Sequence, residues 1–130
     1  MVLFTACAPR KVAIGSGQGD PQDAWSKGVY AFGRKCASCH GDELKGDEDT
    51  PPLVGDGSLG ESPPEDSERT TPMRNAGDLI DYIRANMPPL EAGRLGDEDL
   101  RVITHYILSE RGVAVPEEAD LPSLRGLPLR

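Results

Sequence analysis

Within five residues, Cys36-Ala37-Ser38-Cys39-His40, the chain places two of its three cysteines and one of its two histidines. Thiols and an imidazole at that density are soft ligands or nucleophiles. Three chemistries use the spacing C-x-x-C-H: a structural zinc site, a redox-active dithiol, or covalent attachment of a haem whose iron the histidine then ligates. Zinc needs four ligands, and only Cys7 and His105 remain to complete a set, the first of them at the chain end. A redox dithiol sits at a helix start beside a βαβ pattern, and no convincing strand alternation is present. Haem attachment is the reading that remains. The two thiols add across the vinyl groups of neighbouring pyrroles, a span that two intervening residues match, and the adjacent His40 reaches the iron from one face.

Elements able to position these groups can be read around them. A first helix is expected over residues 20–36, with Asp20 capping, Pro21 in the first turn and Asp23 adding favourable charge to the positive end of the dipole. Trp25, Gly28, Val29, Phe32 and Cys36 share one face, so this helix delivers Cys36 to the core. A second is expected over residues 75–87, capped by Asn75, with Leu79, Tyr82 and Ile83 inward and Pro88 stopping it after Met87. A third covers residues 96–112, with an acidic first turn, a stripe of Leu100, Ile103, Tyr106 and Ile107, and Gly112 as a left-handed end. His105 falls nearly opposite that stripe and reads as a surface histidine. The class is all-α with long loops.

Composition bears on what fills the interior. Of 130 residues, 37% are apolar and 5% aromatic, so side chains alone build a thin core. The long irregular stretch from Gly41 to about Arg74 is therefore expected to wrap a large flat prosthetic group that supplies the missing apolar volume. Its acidic runs, around residues 45–50 and 61–69, read as solvated loop. Lys and Arg number 14 against 22 Asp and Glu, a net charge of −8, which argues against nucleic acid and anionic lipid and favours a basic partner surface.

The chain divides into three parts: a start and flexible tether over 1–19, a folded domain over 20–112, and an extended C-terminal tail over 113–130. Phe4-Thr5-Ala6-Cys7 resembles the lipobox at which bacterial lipoproteins are cut and acylated, although the charged start and full apolar core of a signal peptide are missing. Cys7 thus carries two readings, a lipidation site or an unremarkable thiol. The tail, with its prolines and spaced leucines, reads as disordered or laid along a partner subunit.

With these residues in place, the chain resembles the class I c-type cytochromes over residues 24–112. Besides the C-x-x-C-H motif, Gly28 and Phe32 match the family's first helix, and the glycine is implied to admit close crossing of the last helix at Tyr106. The stretch Thr50-Pro51-Pro52-Leu53-Val54-Gly55 resembles the family's proline-leucine-glycine loop. The likeness implies that the Pro51 or Pro52 carbonyl accepts the Nδ1 proton of His40 and that Leu53 covers the haem face. Residues 81–90, Asp81 to Leu90, look like the methionine loop, implying Met87 as the ligand opposite His40, with Met73 as the rival. Arg74, Arg84 and Tyr82 stand as alternatives for a haem propionate.

The fold implied is the cytochrome c fold, three main helices and long loops around one covalent haem c. Iron held by both His40 and Met87 has no open position, so the resemblance implies one-electron transfer by a carrier or relay and not an enzyme by itself; a gas sensor or peroxidase needs a displaceable ligand. Two settings follow. One is a membrane-tethered carrier or relay subunit of a respiratory or photosynthetic complex such as alternative complex III. The other is the haem c subunit of a periplasmic dehydrogenase, since residues 79–89 are similar to cytochrome subunits associated with sulfur-compound oxidation. Covalent attachment after export implies the periplasm or the outer face of the cytoplasmic membrane, with redox proteins or complex subunits as partners.

Overall fold

The computed structural model describes residues 22–63 and 69–130. Cys7, the tether, and the expected cap Asp20 with Pro21 lie outside the described residues. Among those described, the chain is helical, with five α-helices, one short 3-10 turn and a single isolated bridge between Asn75 and Pro128. None of the described helices is long and apolar enough to cross a membrane.

Helix α1 (Ala24–Lys35) starts at Asp23, not Asp20. The Asp23 carboxylate accepts from the Ser26 amide at 2.7 Å, and Glu117, far along the chain, accepts from the Ala24 amide at 2.7 Å. Two carboxylates therefore satisfy amides that the helix itself leaves unpaired, which fixes the start. Arg34 and Lys35 occupy the last turn, where positive charge suits the dipole. A single further turn, α2 (Ala37–His40), follows after Cys36.

Helix α3 (Ala76–Asn86) is capped by Asn75, whose side chain accepts from the Asp78 amide at 3.1 Å, and it closes at Met87, whose amide still donates to Ile83 at 2.9 Å. A 3-10 turn, Pro89–Glu91, follows, and then α4 (Asp97–Glu110) with Asp97, Glu98 and Asp99 in its first turn. Gly112, at φ +88°, ends it, and the Val113 amide returns to the Leu108 carbonyl at 3.0 Å.

Helices α1 and α4 cross at backbone contact. A β-carbon on Gly28 would overlap the Val102 carbonyl oxygen and sit 2.7 Å from the β-carbon of Tyr106, so only glycine fits. Tyr106 then meets Trp25 and Phe32 edge-on, at centroid separations of 5.9 and 5.4 Å. These are favourable quadrupolar arrangements that add to the apolar burial. The core joins Phe32, Leu79, Ile80, Leu100, Ile103 and Leu108 with Leu44, Leu53 and Met73 from the loop.

Two further expectations are corrected. Residues 113–130 are not an extended tail: α5 (Leu121–Arg125) forms there, capped by Asp120, and Ala119, Leu124 and Leu129 are buried. The Ala76 amide donates to Leu127 at 2.9 Å and Arg125 pairs with Asp81 at 2.8 Å. Asp120 as cap and Pro122 in the first turn were signals of this helix; the spaced leucines needed a folded surface to meet. His105, expected at the surface, is 4% exposed. The returning segment covers its side of α4, with Ala119 accepting from Arg101 at 3.4 Å and Glu117 and the Pro116 carbonyl acting on the imidazole. Residues 102–108 are consequently buried all round the helix.

A pH dependence follows from that burial. Desolvation holds the His105 pKa below its ordinary value, against the smaller opposing pull of Glu117 and Pro116, and Nε2 is buried without a partner. The unfolded chain therefore binds this proton more readily than the folded one. Its contribution to stability is complete above about pH 6.5 and is lost as pH falls through and below that value. Denaturant midpoints at pH 7.5 and 5.0 should fall less in His105→Gln than in the wild type; equal losses would show that His105 does not carry the effect.

Candidate functional site

The end of α1 and the turn of α2 set the two thiols and the imidazole together. The Cys36 amide donates to Phe32 at 2.8 Å, and from Cys36 one turn returns through His40 N to Cys36 O at 2.9 Å. Cys36 and Cys39 are thus three residues apart on a helical turn, and Cys36 and His40 four, spacings that share a face. Both thiols are free, Cys36 half-buried against the core and Cys39 exposed. Burial pushes the Cys36 thiol up to about 11, with Lys35 opposing and Cys39 adding to the shift. A redox dithiol has a depressed pKa, so this site has the opposite character.

His40 packs near Phe32, centroids 6.3 Å apart. Burial lowers its pKa, outweighing the Pro51 carbonyl and Asp47, both of which favour the protonated ring. The imidazole is then neutral at pH 7, the form that ligates metal. Nδ1 is buried and lacks a complete hydrogen bond; the Pro51 carbonyl faces the ring but stops short of a well-formed bond to it. Two free thiols, a neutral imidazole with an uncompleted nitrogen, and the apolar core beside Cys36 and His40 fit haem c. Among the described residues, no three His, Cys, Asp or Glu side chains gather as a cation site.

The loop after His40 brings Pro51 back. The Gly46 amide donates to the His40 carbonyl at 2.8 Å, Asp47 N to Thr50 O at 2.9 Å, and Leu53 N to Leu44 O at 2.8 Å. Gly46 has φ +67°, and a β-carbon there would collide with the Thr50 carbonyl oxygen and lie 2.8 Å from that of Pro51. Sequence reading passed over this glycine, although Lys45-Gly46-Asp47 is a turn signal. Asp47, Glu48 and Asp49 are exposed, as a solvated loop requires.

Of the other expected residues, Leu53 is buried in the core, while the rings of Pro51 and Pro52 are exposed. Met87 is half-buried and packs against the core cluster; Met73 lies inside it at 1% exposure, its amide donating to Glu61 at 3.0 Å. Arg74 and Arg84, considered for propionates, pair with Asp78 and Asp97, each at 2.9 Å. Two arginine networks, one buried and one half-buried, went unread in the sequence. Arg69, 8% exposed, donates to Thr71 and Gly60 carbonyls at 2.8 and 2.9 Å, and Arg111 reaches Leu53, Ser58 and Leu129.

Comparison with known proteins agrees with this arrangement. The cytochrome c family model matches residues 25–110. The structure is similar to a chain in the crystal structure of the sulfane dehydrogenase SoxCD from Paracoccus pantotrophus, at 26% identity and a TM-score of 0.55, over 80% of this chain and 52% of that one. The present chain spans about half the length of that chain. No curated protein sequence matches.

Proposed function

Because the chain belongs to the cytochrome c family and its cofactor is a covalently bound haem c, we propose that it relays single electrons within a periplasmic oxidoreductase complex. The observation that carries this reading is the single turn that gathers Cys36, half-buried against the core, an exposed Cys39 and a neutral His40 beside Phe32. When bound, haem c supplies a one-electron iron couple. The chain's own groups do the rest. Cys36 and Cys39 tether the ring as thioethers, and His40 and Met87 provide one nitrogen and one neutral sulfur donor, a pair that favours the ferrous state over bis-histidine ligation. The Pro51 carbonyl faces the His40 ring, where it would orient a bound imidazole, and the buried Leu53 would cover one side of the group.

The subunit setting is favoured by the likeness to a chain of sulfane dehydrogenase SoxCD, which extends over 80% of this chain. A second reading, a membrane-tethered carrier, draws support from the lipobox-like start before Cys7. Purification of the native protein under mild conditions, followed by intact mass, distinguishes them. The expected result is one covalent haem and a catalytic subunit retained through successive columns. A lone cytochrome carrying a diacylglyceryl mass on Cys7 would replace the subunit reading with the tethered one.

A further inference from the structure

Arg111 ends α4 as its C-cap, but its guanidinium turns away from the helix into two other segments. Nε donates to the Leu129 carbonyl at 2.7 Å; Nη1 donates to the Leu53 carbonyl at 2.6 Å and to Ser58 Oγ at 2.8 Å; Nη2 donates to the Ser58 carbonyl at 3.3 Å. Ser58 is 6% exposed and its hydroxyl passes on to the Gly55 carbonyl at 2.6 Å. Arg130, next along, donates to the Leu59 carbonyl. Burial of the cation, with Arg130 nearby, works against its charge, so the cluster of oxygens has to offset a real desolvation cost. A planar fork with several fixed donors suits this task in a way a lysine does not.

The position of the accepting carbonyl gives the contact its interest. Leu53 is held at its amide by Leu44, at 2.8 Å, and at its carbonyl by Arg111, and it lies two residues beyond Pro51. At the other end of the same loop, the Gly46 amide is fastened to the His40 carbonyl. The stretch that presents the Pro51 carbonyl to the imidazole is therefore anchored on one side by the motif itself and on the other by Arg111.

We infer that Arg111 is a positioning residue for His40, fastening the 53–58 loop to the C-terminal segment and so setting how closely the Pro51 carbonyl approaches the imidazole. The inference rests on the reading of His40 as the iron ligand. It ties the last residues of the chain to the redox centre through one side chain, Leu129 O to Arg111 to Leu53 to Pro51. The closer that carbonyl comes to Nδ1–H, the stronger a donor the ring would be toward iron, which favours the ferric state; a loosened loop weakens that donation.

The test uses the ¹⁵N-labelled haem-bearing protein in its diamagnetic ferrous state, as wild type, Arg111→Lys and Arg111→Met. In Arg111→Met, amide exchange at Leu53 and Gly46 should accelerate at least about tenfold more than at Phe32 and Ile107, which report global opening. The His40 Nδ1 proton should exchange faster, its ring ¹⁵N shifts should move, and the midpoint potential should rise. Arg111→Lys should fall between the two. Uniform acceleration at all four amides, or unchanged His40 signals and potential beside a loosened Leu53, would overturn the inference and leave Arg111 a packing residue. Should Arg111→Met not accumulate, Ser58→Ala, which removes one acceptor and keeps the charge, carries the same comparison with Arg111→Lys. A wild-type protein whose His40 resonances show no haem ring-current shift rejects the ligand reading itself. Shifted His40 resonances indifferent to Arg111 reject only the positioning role.

Discussion

Alanine at both Cys36 and Cys39 should abolish covalent haem altogether and cost the chain much of its folded population. Both thiols are unpaired and sit on one helical turn with His40, so no other pair of cysteines among the described residues can take over their role. Loss of the tether turns an intramolecular ligation into a bimolecular one, and the effective concentration supplied by short linkages, of order millimolar or more, disappears. The structural consequence follows from composition. With 37% apolar and 5% aromatic residues, the chain gains a substantial part of its buried apolar contact from the prosthetic group, and ligand binding to the folded state alone is itself folding free energy. Denaturing electrophoresis with haem-peroxidase staining should show a band in the wild type that survives acid-acetone extraction and no band in the double variant, with a reduced far-ultraviolet helical signal. Each single variant should keep a stained band through its remaining thioether. A stained, fully helical double variant would contradict both the attachment sites and the structural role of the group.

Met87→His should lower the reduction potential by a substantial fraction of the roughly 0.8 V range that axial ligands span in haem proteins. A thioether is neutral, soft and a weak donor to ferric iron, whereas a second imidazole stabilises the oxidised state. Met87 is placed for this exchange at the end of α3: its amide closes the helix on Ile83, its backbone is extended, and it is half-buried against the core cluster. Met73 offers the control. It is enclosed at 1% exposure among Leu and Ile side chains, so Met73→Leu, close in volume, should cost less than about 1.5 kcal/mol of stability. Potentiometric titration and the sulfur-to-iron charge-transfer absorption of the oxidised protein read both variants. If Met73→Leu abolishes that absorption while Met87→His retains it, the ligand is Met73.

Contacts that close within four residues were legible in the sequence. The turn from Cys36 to His40, the Asn75 cap, the end of α3 at Met87 before Pro88, and the termination at Gly112 each depend on local spacing and backbone preference, and each is present. The crossing at Gly28 was legible for a related reason. A glycine on an otherwise apolar helical face marks a close approach, and the resemblance supplied Tyr106 as the partner. The first helix began three residues later than expected because Asp20 and Asp23 both suit a cap, and Glu117, 93 residues from Ala24, favours the later start.

Contacts between distant segments were decided only by the tertiary structure. His105 reads as exposed from the periodicity of α4 alone, because a helical wheel assumes one covered face; the returning chain at Pro116 to Ala119 covers a second. The leucines of the C-terminal segment carry too little apolar surface to fold by themselves, and they become core only when Asn75, Ala76 and Asp81 present backbone and charge for them to meet. Arg111 shows the limit most clearly. Near a helix end an arginine reads as a dipole partner, yet its acceptors lie 18, 53 and 58 residues away, where loop closure must already have occurred. The chemistry of the haem-bearing turn is therefore written in the sequence, while the environment that orients it is a property of the closed fold.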